Sequence, residues 1–226
     1  MEMRNFGKES AMEKIWIIGA GRFGMLALNR LADKYDNTSF MLVDSDIKGI
    51  ELFNSADCKT EESDGVEFLV KNLAPEKSPE WIIPALPVHL AAEWCLQKLA
   101  DDVKRCELPA DIDGQLPNAA RGYRQDMYVS HADFLCPDKC SEPAGICTVT
   151  GKPRPKNMFE LLGELNVPGF TSLVIRSHQL APGVGGYRPD ALFELLERTA
   201  NTENPLIVST ACRCHGVLTA ICPQKK

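Results

Sequence analysis

Five cysteines and a histidine stand where they could share one chemical task. Cys136, Cys140 and Cys147 fall within FLCPDKCSEPAGICTVTG, residues 134–151, and Cys212, Cys214 and His215 within TACRCHG. Thiolates are soft ligands suited to zinc or to iron–sulfur clusters, and Pro137, Pro143 and Gly145 let the backbone fold around one centre. The spacing matches neither paired C-x2-C zinc knuckles nor a ferredoxin run, so it leaves the metal open between an iron–sulfur cluster and structural zinc. Cys212 and Cys214 are two apart, and in an extended segment both point to one face. The expected ligands are Cys136, Cys140, Cys147 and one of that pair. Cys214 is favoured, with Cys212 or His215 as the substitute. A redox-active dithiol and ordinary buried thiols are the competing readings.

A second constellation opens the chain. In KIWIIGAGRFG, Gly19, Gly21 and Gly24 follow a short apolar run and lead into a helix. Gly19 permits a tight turn, Gly21 lets a pyrophosphate approach the backbone, and Gly24 lets the helix pack closely on the strand. The free N–H groups at the helix start suit phosphate, so Arg22 and Phe23 at that turn join the expected cofactor-binding set. Asp44 closes the next strand, where an acid accepts hydrogen bonds from an adenosine ribose and repels a 2′-phosphate. NAD(H) is therefore expected over NADP(H), with Asp46 as a second contact.

Two strands end in Ser-His, at Ser130-His131 and Ser177-His178. In a doubly wound sheet, ligands gather outside the carboxyl ends of strands. His131 and His178 are thus the candidate proton donors or acceptors beside a small-molecule substrate.

The elements that must position these groups alternate. Strand-like and helix-like stretches succeed one another from residue 14 to about 105, which implies a parallel sheet with right-handed crossovers. Residues 105–125 lack periodicity and read as a long connection. Alternation then resumes: MYVSHADFL and SLVIRSHQL as strands, NMFELLGEL as a helix with an Asn157/Glu160 capping box, PDALFELLERTA as a helix, and PLIVSTACRCHGVLTAI as final strands. The expected fold is α/β, a doubly wound, mostly parallel, Rossmann-like sheet with a cysteine-rich insertion. Residues 1–11 read as a leader, 12–105 as a dinucleotide-binding half, and 106–226 as an extension of the same sheet carrying the thiol loop.

Composition narrows the class. A net charge of −6 and a pI near 5.3 argue against nucleic acid. The most apolar region is broken by two prolines, His89, Glu93 and Lys98, so no membrane insertion is expected. The start lacks a secretory signal, and the reading is cytoplasmic. In a reducing compartment nine cysteines are buried thiols, catalysts or ligands rather than disulfides. The scattered Cys58, Cys95, Cys106 and Cys222 are read as buried.

IWIIGAGRFGMLALNRL, FMLVDSD and SADCKTEE together resemble the NAD-binding domain of Trk-type potassium-uptake regulators, the RCK or TrkA-N family, over about residues 14–100. The resemblance implies a nucleotide that controls a membrane transporter. It also places Asp57 near the adenosine, although Ala56 replaces the usual glycine. The thiol-rich half is foreign to that family. Two functions follow: an NAD(H)-binding regulator or redox protein with a thiol-held metal centre, or an NAD-dependent oxidoreductase passing hydride or electrons to that centre or to a small substrate. The expected partners are a nucleotide, a small-molecule substrate, and a second copy of the chain or a membrane transporter.

Overall fold

Strand β1 (Lys14–Ile18) turns the sequence pattern into layers. Ile15 and Ile17 enter one apolar cluster while Trp16 and Ile18 enter another, as the two-residue period of a strand requires. The computed structural model describes residues 14–35, 37–46, 58–122 and 124–224. Helix α1 (Arg22–Lys34) buries Ala27, Leu28 and Leu31 against the Ile15/Ile17 face. Next come β2 (Ser39–Asp44), β3 (Cys58–Glu62), α2 (Gly65–Asn72) and β4 (Trp81–Pro84). These four strands form an all-parallel sheet in the order β3-β2-β1-β4. Nothing apolar announces β3, whose sequence is CKTEE; it is an edge strand, and only Cys58 is buried.

The chain continues through α3 (Leu90–Lys98), β5 (Val103–Cys106), β6 (Ala120–Arg121), β7 (Met127–Ser130) and α4 (Met158–Gly163). It ends with β8 (Thr171–Arg176), β9 (His178–Ala181), β10 (Val184–Gly186), α5 (Pro189–Ala200), β11 (Leu206–Ala211) and β12 (His215–Pro223). The capping box at the start of α4 is formed as the sequence predicts.

The later strands do not extend the first sheet. They build a second, mixed sheet in the order β6-β7-β12-β11-β8, with β5 also pairing to β12. β5, which the alternation assigned to the nucleotide half, thus belongs to the other sheet. The reason lies in the connections. Only β8 and β11, linked through α5, are parallel; β11 and β12 meet across a tight turn, which permits only antiparallel pairing. β12 pairs with β7 over residues 215–218 and with β5 over 220–223. SLVIRSHQL is not one strand either. It breaks at Ser177 into β8 and β9, and β9 with β10 forms a separate hairpin whose Leu180, Ala181 and Val184 pack in the α1 cluster.

The two sheets share a core. Trp16, Ile18 and Ile82 of the first meet Leu173, Val208 and Ile221 of the second, with Trp94 of α3 and Leu192 and Leu195 of α5 between them. Ile82 and Tyr187 exchange both backbone hydrogen bonds, each 3.0 Å, across the junction. Cys106 and Cys222 form a disulfide joining β5 to β12, and so are not the buried thiols expected; Cys58 and Cys95 are. The two half-cystines lie on neighbouring strands, a proximity that their separation of 116 residues conceals. Among the described residues no helix is long and apolar enough to cross a membrane.

Beneath the junction runs a polar chain with a fixed direction. Arg105 donates to Asp126 (2.5 Å) and Glu93 (2.6 Å), and the Thr219 hydroxyl donates to Asp126 (2.5 Å). With its proton committed, Thr219 can only accept from His89 Nδ1 (2.8 Å). His89 Nε2 is then an acceptor and takes the hydroxyl proton of Thr210 (2.9 Å). Burial, with Arg105 adding and Asp126 opposing, pushes the His89 imidazole down to about 4. The unfolded chain therefore binds more protons than the folded one between pH about 6.5 and about 4, so stability falls as pH drops through that window. Denaturant titrations from pH 7 to 4 should show this acid slope, and His89→Gln should flatten it. An unchanged slope in the variant would assign the acid sensitivity elsewhere.

Candidate nucleotide and thiol site

The turn between β1 and α1 has the geometry its glycines predict. Gly19 adopts φ +108°, and a Cβ there would lie 2.6 Å from the Ala85 carbonyl oxygen. A Cβ on Gly24 would lie 1.9 Å from the Gly19 oxygen, whereas one on Gly21 would meet nothing within 4 Å among the described residues. Gly19 and Gly24 are thus required by the protein itself, and Gly21 faces open space. Among the described residues no side chain caps α1, and no acid occupies its first turn, which suits an anion at its N-terminal N–H groups. Asp44 folds back over this turn: one carboxylate oxygen accepts the Ala20 N–H (2.6 Å), the other the Asp46 N–H (2.9 Å). Asp57 lies outside the described residues.

Arg22 and Phe23 line a cavity of about 1000 Å³ that all five candidate thiols, His131 and His215 line as well. Loop 131–157 after β7 and the β11–β12 turn bring these groups together. Cys136 Sγ lies 3.6 Å from His215 Nε2, and Cys212 Sγ lies 3.8 Å from His215 Nδ1. Backbone N–H groups point at three sulfurs. Glu142 donates to Cys140 (3.4 Å), Cys214 and His215 donate to Cys212 (3.4 and 3.3 Å), and Val149 and Thr150 donate to Cys147. Such bonds favour a thiolate. At Cys147 they dominate, from Thr150 above all, and lower its thiol from the ordinary value.

Burial works the other way at the remaining thiols. It pushes Cys212 up to about 12, with Glu142 adding to the shift. Burial also raises Cys136, reinforced by the neighbouring Cys140 and Cys147, and raises Cys214, which Arg154 partly opposes. Among the described residues no three His, Cys, Asp or Glu side chains are already disposed to hold one ion. The two histidine candidates part company. His131 lines the cavity, its Nε2 buried without a hydrogen-bond partner among the described residues. His178 does not line it, and instead packs edge-on against Trp81 with ring centres 5.5 Å apart. Burial lowers both imidazoles.

No pattern in the sequence announces how the thiol loop is moored. Asp138 is ion-paired to Arg22, and its carbonyl accepts from Arg30 (2.7 Å), which also bonds the Pro182 oxygen. The Cys140 carbonyl accepts from Gly183 N–H (3.1 Å) and from Gln179 Nε2 (2.6 Å). Helix α1 and the β9–β10 hairpin therefore grip the Cys136–Cys140 turn from two sides. Glu142 adds a tie to the β11–β12 turn by accepting the Arg213 N–H (2.5 Å). Isolated charges in a loop carry no periodic signal, and the residues they meet are about 40 to more than 100 positions away.

Fold and site together define an α/β protein of two larger sheets and a hairpin, with a thiol-lined cavity at the glycine turn. Residues 91–223 match the family model AF_1314_C, described as "Uncharacterized protein, C-terminal domain", and the chain belongs to that family. It is also 32% identical over 221 residues to a protein of Archaeoglobus fulgidus described as "Uncharacterized protein", covering 91% of this chain and 97% of that one. No solved structure matches. The family match spans the second sheet and every cavity thiol but not the glycine turn.

Gly183 provides a test of the mooring. Its φ is +66°, and a Cβ would lie 1.9 Å from the Asp138 oxygen. Gly183→Ala should cost about 1–3 kcal/mol through backbone strain alone, and it should push the loop away. Alkylation of Cys136 and Cys140 in the folded protein should then accelerate while the first sheet stays intact. Unchanged alkylation would show that the hairpin does not hold the loop.

Proposed function

We propose that this protein binds NAD(H) at the start of α1 and holds a metal centre through the cavity thiols, acting as a nicotinamide-dependent redox protein. The observation that carries the reading is that one cavity is lined both by Arg22 and Phe23 of the glycine turn and by five thiols. The parallel β3-β2-β1-β4 order supports it, since that arrangement, with a glycine turn after the first strand, is half of a Rossmann-type doubly wound sheet. The uncapped helix start suits a pyrophosphate, and Asp44 at the end of β2 suits an adenosine ribose.

The donor set fits a soft metal. Sulfur ligands predominate, and hydrogen bonds from Thr150 and Val149 already favour charge on Cys147. Cys136, Cys140, Cys147 and either Cys212 or Cys214 would supply four thiolates, and the loop would tighten as they converge. A bound iron–sulfur cluster would supply one-electron chemistry, whereas zinc would fix the loop. The remaining groups act by themselves. His131, neutral and partly buried, offers a proton acceptor or donor to a molecule in the cavity.

A regulatory reading draws on a different observation. Arg22 sits in the first turn of α1 and is paired to Asp138 of the thiol loop, so a phosphate at that turn would compete for the same guanidinium. Nucleotide occupancy would then be felt at the thiols without turnover. Sustained NADH oxidation with an artificial acceptor favours the redox protein; tight NADH binding without turnover favours the regulator.

Two experiments address the parts. Calorimetric titration should show NADH binding in preference to NADPH. Asp44→Ala should weaken NADH by on the order of ten-fold, the loss of a charge-assisted hydrogen bond, while NADPH binds equally or better. Failure of the wild type to bind either dinucleotide would overturn the nucleotide reading. Separately, anaerobically purified protein should contain stoichiometric iron with acid-labile sulfide, or stoichiometric zinc. Cys140→Ser should lose it and expose loop residues 126–156 to protease while the first sheet survives. Metal-free protein with all five cavity thiols freely alkylated would remove the metal centre.

A further inference from the structure

His215 is the first residue of β12 and pairs with Ser130 at the end of β7. The neighbouring His131 donates its N–H to the Cys214 carbonyl (2.9 Å), so the thiol loop leaves the sheet alongside the β11–β12 turn. Further along that loop, Cys136 returns its sulfur to 3.6 Å from His215 Nε2. Zinc holds a thiolate sulfur at about 2.3 Å and an imidazole nitrogen at about 2.0–2.1 Å, so two such ligands of one tetrahedral ion lie about 3.5 Å apart. Cys136 and His215 already stand at that spacing.

The other ring nitrogen determines which end of the imidazole carries its proton. Cys212 folds its sulfur back over its own turn, where it accepts the N–H groups of Cys214 (3.4 Å) and His215 (3.3 Å). Its thiol is also hydrogen-bonded to the Glu142 carboxylate, which the Arg213 N–H fixes in turn (2.5 Å). An ionised carboxylate has no proton to give, so the thiol is the donor there. Toward His215 Nδ1, 3.8 Å away, the Cys212 sulfur can then only accept. The imidazole proton therefore sits on Nδ1, and Nε2 presents its lone pair to Cys136. The Cys136 thiol can donate into that lone pair, and an ion would take the place of that proton, as thiolate ligation requires. Metal-bound histidines are held in the same manner, the outer nitrogen donating to a fixed neighbour. Cys212 is badly placed as a ligand, because the adjacent carboxylate disfavours its thiolate.

We infer that His215 is a metal ligand through Nε2, sharing one ion with Cys136, and that Cys212 stays outside the centre as the residue that orients the imidazole. The inference rests on the proposed metal centre and revises its ligand set. The remaining places fall among Cys140, Cys147 and Cys214, and Cys212 becomes a positioning residue.

The experiment uses the full-length protein, treated with a chelator, and Zn²⁺ and Co²⁺ as probes. In the wild type, Zn²⁺ should shift the His215 Nε2 resonance in histidine-selective nitrogen NMR and leave Nδ1 protonated, a readout that needs no variant. His215→Ala should weaken Zn²⁺ by about 100-fold or more, beyond the roughly 10- to 100-fold that loss of an outer partner costs. Cys136→Ser should diminish the sulfur-to-cobalt charge-transfer band of the Co²⁺ form. Cys212→Ser, whose hydroxyl can still accept from Nδ1, should keep that band whole and lose at most about ten-fold in affinity. Cys212→Ala should also keep the band but bind about 10- to 100-fold more weakly, so that serine rescues what alanine loses. Equal Zn²⁺ affinity in His215→Ala, a shift at Nδ1 in place of Nε2, or a band diminished in Cys212→Ser would each overturn the inference while the metal centre stands. A wild type that binds neither Zn²⁺ nor Co²⁺ would instead remove the metal centre itself, and the role given to His215 with it.

Discussion

The exchange of backbone hydrogen bonds between Ile82 and Tyr187, over a core drawn from both sheets, fixes everything of functional interest here. β4 is short and would otherwise leave an open edge on the parallel sheet. Tyr187 covers that edge with one bridge and then leads into α5, whose Leu192 and Leu195 fill the space between the sheets. The glycine turn belongs to one sheet and the β11–β12 turn to the other. Their separation across the large cavity is therefore set by this junction.

What could be read from the sequence was local or periodic. The β1 turn was readable because each glycine has its own steric reason, and the structure gives Gly19 and Gly24 a carbonyl to avoid. The α4 capping box and the two amphipathic helices α1 and α5 were readable for similar reasons. The convergence of Cys136, Cys140 and Cys147 with Cys212 and Cys214 was inferred from residue chemistry, and all five do line one cavity. Sheet membership was not readable. Val-, Ile- and Leu-rich segments such as SLVIR and PLIVSTA look alike whether they join a parallel or an antiparallel neighbour, and the choice rests on how the chain between them returns. Nor was the role of His178, since a histidine after a strand says nothing of the tryptophan it will meet.

The charges in the site divide by purpose. Arg22, Arg30 and Asp138 are exposed or half-exposed, and their value is positional: they hold a loop, and each ion pair adds little stability by itself. Arg105, Glu93 and Asp126 are more deeply placed and bear on a hydrogen-bond chain that ends at His89. The first group can be rearranged by a ligand at modest cost. The second cannot, because separating it would leave Asp126 buried without its partners.

The Cys106–Cys222 bond gives the molecule a covalent topology distinct from its division into sheets. It closes a ring containing the thiol loop, the β9–β10 hairpin and the β11–β12 turn, with the glycine-turn sheet attached as a tail. A ring of this size removes on the order of 4–5 kcal/mol of chain entropy from the unfolded state. It nearly coincides with the segment matched by the family model, residues 91–223. A single backbone cut anywhere within the ring would leave one covalently continuous molecule, with both walls of the thiol cavity still tethered to each other and to the tail.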